Sequence, residues 1–153
     1  MKKVLFFISV LFLFTDVQSQ ELLGVKKEQI KRAMAEQGAY FQNDGIEIDL
    51  ADKRPFNIIA YGCDAEHIKT QGMYEYLFFL RDNRCYRYFI AYTGDIFRQK
   101  LIDKFNSKNS GLIRTNEELT WKDDHNKYRI QIRSTLKNGK PSPMFMLQIF
   151  KNS

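Results

Sequence analysis

The chain has 153 residues, 24 lysines and arginines against 18 acids for a formal charge of +6, and only two cysteines. That length is one ordinary domain, and no Pro-, Gly- or Ser-rich linker, repeat or low-complexity tract divides it. The basic residues are dispersed with acids interleaved, the pattern of a solubilising surface, so no nucleic acid is expected as a partner.

The first nineteen residues read as a secretory signal peptide. Lys2-Lys3 precede an apolar run from Val4 to Phe14, and Val17 and Ser19 are small enough for the −3 and −1 pockets of a signal peptidase. The mature chain is expected to begin at Gln20, leaving residues 20–153 as a single α+β domain in the periplasm or outside the cell. The apolar run is about half of the 20 residues that a spanning helix needs. The first cysteine is Cys63, so no lipid-anchor cysteine follows the run.

Behind the leader, the spacing predicts a helix over Lys26–Gln37, with Ile30, Ala33 and Met34 on one face and Gly38 ending it. Ile46, Ile48 and Leu50 alternate with Glu47 and Asp49, the mark of a half-buried or edge strand. Phe56–Gly62 is more continuously apolar and suits a central strand. Cys63–His67 reads as a loop, and Met73–Leu80 returns as a strand toward a two-residue turn at Asp82-Asn83. A second helix is expected from Asp95 to Asn106, its stripe made by Phe97, Leu101 and Phe105 with Ile96 and Ile102 beside them. After Trp121, a turn over Lys122–Asn126 leads into Tyr128, Ile130 and Ile132. Another turn near Asn138-Gly139 leads into Met144–Phe150. The expected architecture is a mostly antiparallel sheet of about six or seven strands with two helices on one face, in the order helix, four strands, helix, three strands.

Two cysteines in an exported chain raise the question of a disulfide. In this strand order Cys63 and Cys85 fall at opposite ends of a strand of about seven residues, roughly 20 Å apart, whereas bridged Cα atoms lie within about 7 Å. They are expected to be unbridged, with Cys85 a small core hydrophobe.

The Met73–Tyr92 hairpin carries the densest chemistry. With the turn at Asp82-Asn83 and pairing in step from Leu80 opposite Cys85, one face takes Tyr74, Tyr76, Phe78 and Leu80 with Cys85, Arg87, Phe89 and Ala91. The other takes Met73, Glu75, Leu77 and Phe79 with Tyr86, Tyr88, Ile90 and Tyr92. Both faces are aromatic, so the hairpin is either covered on both sides or leaves one aromatic surface open. Tyr86, Tyr88 and Tyr92, with Glu75 nearby, are the candidate ligand-binding residues, because a tyrosine ring buries area while its hydroxyl keeps a hydrogen bond. The alternative places these tyrosines at the core margin, and a one-residue change at the turn moves them to the other face.

No Gly-rich phosphate loop, nucleophile elbow or zinc helix occurs, so neither catalytic nor metal-binding residues nor a cofactor are expected. The functional expectation is an exported non-catalytic module that contacts a protein, peptide or glycan of the cell envelope through its aromatic sheet surface. Two alternatives are a small exported hydrolase using Cys63 and His67, and an envelope protein that binds polyanions. The leader, Leu22-Leu23-Gly24 running into Lys27–Lys31, and the tyrosine-rich sheet together resemble small uncharacterised exported helix-plus-sheet domains of Gram-negative bacteria. The Leu-Gly-helix opening is also loosely similar to the repeat unit of the β-lactamase-inhibitor-protein-like fold and of small outer-membrane assembly lipoproteins. This chain lacks the lipidated cysteine of the latter and a second copy of the opening, so the resemblance implies a fold type and no inhibitor or assembly role.

Overall fold

The structure, a computed structural model, describes residues 22–137 and 140–152. The leader, the Gln20 start and the Asn138-Gly139 turn lie outside the described residues. Three helices and eight strands follow in the order α1 (Lys27–Glu36), β1 (Tyr40–Ile48), β2 (Pro55–Gly62), α2 (Ala65–Gln71), β3 (Met73–Arg81), β4 (Arg84–Thr93), α3 (Asp95–Asn106), β5 (Leu112–Arg114), β6 (Thr120–Asp123), β7 (Tyr128–Lys137) and β8 (Lys140–Lys151). The strands form one sheet in the order β1-β2-β3-β4-β8-β7-β6-β5. Every neighbouring pair is antiparallel. The α+β class and antiparallel sheet are as expected; the sheet has one strand more than the upper expectation, and there is one more helix.

The additional helix, α2, occupies the segment read as a loop. Asp64 caps it by accepting from the His67 backbone N–H at 2.9 Å, and Gly72 closes it in the left-handed region at φ 72°. No α2 residue is buried, so the segment lacks the apolar stripe by which a helix announces itself in sequence. β1 is also longer than its alternation suggested. Gln42-Asn43-Asp44-Gly45 breaks the pattern, yet the strand pairs with β2 from Tyr40 to Ile48 as an exposed edge.

α1 presents Ile30 and Met34, both fully buried, to the sheet. Each contributes about 1.5–3 kcal/mol by leaving water. The segment before α1 is tied to the tip of the β3–β4 hairpin, since Gly24 N–H donates to Cys85 O at 2.7 Å and Cys85 N–H to Val25 O at 2.9 Å. Lys27 then pairs with Asp44 of β1 at 2.6 Å. α3 carries the chain from β4 past three intervening strands to the far edge. Its twelve residues span about 18 Å, close to the four strand spacings of about 4.8 Å that it must cross. At its end the Trp121 indole donates to Asn106 Oδ1 at 3.0 Å and packs on Phe105 at 5.2 Å.

All three helices lie on one face of the sheet, where the core sits. Across the strands this face runs Ile59, Phe78, Tyr88, Ile149, Ile130 and Trp121, every one fully buried. The opposite face runs Ile58, Phe79, Arg87, Phe150, Arg129 and Lys122.

The β3–β4 hairpin turns at Asp82-Asn83 as expected, with positive φ at both residues. The pairing expected from there holds at Leu80 with Cys85 and then slips by one. Tyr86 is an extra residue on β4, so Phe79 faces Arg87 and Phe78 faces Tyr88. A second shift beyond Glu75 restores the original step at Met73 with Tyr92. The slip corrects the expected face assignment. Without it Arg87 and Phe89 would point beneath the helices and Tyr88 and Ile90 away from them; burying an unpaired guanidinium is far costlier than one bulge.

Candidate functional site

Between the helices and the sheet lies a cavity of about 640 Å³. That volume falls within the range of about 300–1,000 Å³ typical of small-molecule sites. Its floor comes from β3, β4 and β8 through Tyr76, Tyr88, Ile90, Tyr92 and Leu147. Met34 and Ala33 of α1 form one wall and Phe97, Leu101 and Phe105 of α3 the other, so the apolar stripes of the two helices line it. Glu36, Gln37, His67, Gln71, Lys100 and Lys104 add polar groups around this apolar interior.

The tyrosine hydroxyls are the polar features of the floor. Tyr76 donates to Gln37 Oε1 at 3.4 Å and lies 3.5 Å from the Met73 sulfur. Tyr92 stacks on Phe145 with ring centroids 5.2 Å apart and planes 5° apart. Tyr88 is fully buried, and its hydroxyl has no hydrogen-bond partner among the described residues. Burial pushes all three phenols well above their ordinary 10.0, so they are neutral donors at any physiological pH. An unpartnered hydroxyl in such a place costs about 1–3 kcal/mol.

The four sequence candidates divide between the two faces. Tyr88 and Tyr92 line the cavity, whereas Tyr86 and Glu75 lie on the face away from the helices. Tyr86 sits between two cations there, with the Arg81 guanidinium 5.1 Å and the Arg87 guanidinium 5.7 Å from its ring centre. Sequence reasoning put neither Tyr76, on the same parity as Phe78, nor Gln37, at the end of α1, among the candidate site residues. Their signal was a helix and a strand that present polar ends toward one space, which becomes visible only once the two are docked.

Cys63 and His67 do not share the cavity. His67 lines it, while Cys63 is buried in the core with its thiol pushed up to about 11 by burial. His67 Nδ1 is 2.7 Å from Asp64 Oδ1, an interaction that ties the ring to the cap of α2. Cys85 is likewise buried and pushed up to about 12. Both cysteines are free; Cys85 sits opposite Leu80, which pairs with Asn57 at the far end of β2 from Cys63. Among the described residues no group of three or more His, Cys, Asp or Glu side chains is placed to hold a metal. No helix among them is long and apolar enough to cross a membrane.

No family model matches this chain, and neither a curated protein nor a solved structure is significantly similar to it.

Proposed function

We propose that this protein is an exported, non-catalytic binding module of the periplasm or extracellular space. Its site is the helix–sheet cavity, and its ligand is a small, largely apolar molecule bearing a neutral hydrogen-bonding oxygen. The observation that carries the reading is the Tyr88 hydroxyl, fully buried beside a 640 Å³ apolar cavity without a partner among the described residues. Buried polar groups are nearly always paired, and a ligand oxygen would pair this one. The floor favours a neutral group, because its polar atoms are phenols and the charged Glu36, Lys100 and Lys104 stand on the helix walls of the cavity. The leader supplies the case for export.

The test is saturable binding of the apolar fluorophore N-phenyl-1-naphthylamine to the folded protein. It should be lost in Ala33→Phe, which fills the cavity from α1. Competition by dodecanol should exceed that by dodecane, and Tyr88→Phe should remove the difference. Absence of saturable binding, or binding indifferent to Ala33→Phe, overturns the cavity as the site. Export is checked by the amino-terminal sequence of protein secreted from a bacterial host, which should begin at Gln20.

A further inference from the structure

The face away from the helices is uncovered by any described helix, and it is not a polar face. Ile58, Leu77, Phe79, Phe89 and Phe150 form an apolar field across β2, β3, β4 and β8, half-buried only by packing against one another, with Phe79 more deeply set. In the middle of this field stands Arg87. Its guanidinium lies 4.4 Å from the Phe79 ring centre and 5.2 Å from that of Phe89, so stacking holds the planar group in place.

Two neighbouring arginines, Arg81 and Arg129, are ion-paired and Arg87 is not. Arg81 pairs with Asp49 and Asp52, each at 2.9 Å, and Arg129 with Glu117 at 3.1 Å. Among the described residues Arg87 has no carboxylate within ion-pair distance; its buried Nε, like those of Arg81 and Arg129, has no acceptor. Among the described residues Lys122 and Arg133 also face this side without acidic partners, and the acids there that are not ion-paired to an arginine are Glu75 and, on the edge strand opposite Phe56, Glu47. The face is thus an apolar surface with an immobilised, unpaired guanidinium at its centre.

We infer that this face docks a segment of another protein that presents carboxylates among apolar side chains, with one carboxylate seated on Arg87. A stacked guanidinium is a preorganised fork for a carboxylate, and a central arginine among aromatic rings is the arrangement in which interface energy concentrates. A second copy of this chain is a poor occupant, because two such faces would set the unpaired Arg87 at the centre of each against the other, while the carboxylates not already held by Arg81 or Arg129, Glu75 and Glu47, lie off that centre. An anionic membrane is also a poor fit. Membrane-binding surfaces keep their cations at the rim, and this one would carry Arg87 toward the hydrocarbon at its centre.

The experiment uses fluorescence anisotropy with an alternating Glu-Leu peptide of about ten residues, long enough to cross several strands, and its Gln-Leu counterpart. The wild-type protein should bind the Glu peptide at least about tenfold more tightly at low salt, as expected of a charge-assisted bidentate pair. Arg87→Gln should abolish that ratio, and Arg87→Lys, which keeps the charge and loses the fork, should retain only part of it. Amide shifts in the wild type should map to Leu77, Phe89 and Phe150 and leave α1 and α3 unmoved. The proposal is overturned by equal affinity for the two peptides, by a preference that survives Arg87→Gln in folded protein, by sedimentation with phosphatidylglycerol vesicles in place of peptide binding, or by a dimer in solution that buries this face.

Discussion

Both faces of the β3–β4 hairpin carry aromatic rings, and the two have opposite roles. On one, Phe78, Tyr88 and Leu80 vanish beneath the helices together with Ile30 and Met34. On the other, Phe79 and Phe89 are held against Arg87 with no helix among the described residues above them. A single extra residue, Tyr86, decides which rings go where. Aromatic content by itself therefore says little about a binding surface; what matters is whether the polar group that accompanies the rings has a partner. Each face has one such group, the Tyr88 hydroxyl inside, which has no hydrogen-bond partner among the described residues, and the Arg87 guanidinium outside, which is stacked on rings with no carboxylate among them beside it.

The contrast breaks most readily through stability. Tyr88→Ser should cost about 3–5 kcal/mol in urea unfolding, as for other large core aromatics, while Tyr86→Ser should cost less than about 1 kcal/mol. Comparable losses would mean that the second face is packed as tightly as the first.

Alkaline titration comes next. Tyr76, Tyr88 and Tyr92 have folded values above 10.0, so the unfolded chain releases their protons first. Their contribution to stability is complete below pH 10 and is lost as the pH rises beyond it. Tyrosinate absorbance of the core phenols should appear together with the loss of helical circular dichroism, and Tyr86→Phe should leave that cooperative step in place. Ionisation of all eight tyrosines ahead of unfolding would contradict the burial.

Thiol labelling gives a smaller effect on the same boundary. At pH 8 the folded protein should resist a thiol reagent at Cys63 and Cys85, whose values stand near 11 and 12, and both should react in denaturant without reductant. The smallest expected change is Tyr88→Phe, which removes a hydroxyl that has no partner. It should be neutral or stabilising by up to about 1 kcal/mol in the free protein.

Much of the architecture was legible in local pattern. The α1 and α3 stripes, the Asp82-Asn83 turn and the alternation of β7 and β8 follow from side-chain period and turn chemistry, which are properties of a few adjacent residues. α2 was illegible because a helix that buries none of its residues leaves no periodic trace; only Asp64 and Gly72 mark its ends. Of the candidate site, the sequence placed Tyr86, Tyr88 and Tyr92 on one strand but could not count the bulge that separates them. The slip at Tyr86 depends on which residues the helices cover across the sheet, and no run of neighbours records that.

The sequence alone determined the class of the fold, its antiparallel pairing, the separation of Cys63 from Cys85 and a strand unusually rich in tyrosine. Those follow from interactions between residues close along the chain or one hairpin apart. Only the tertiary structure decided that Tyr88 and Tyr92 roof no surface but floor a cavity, and that Arg87 stands uncovered among phenylalanines. Both outcomes arise where α1 and α3, far apart in sequence, compete to bury one face of the sheet and leave the other bare.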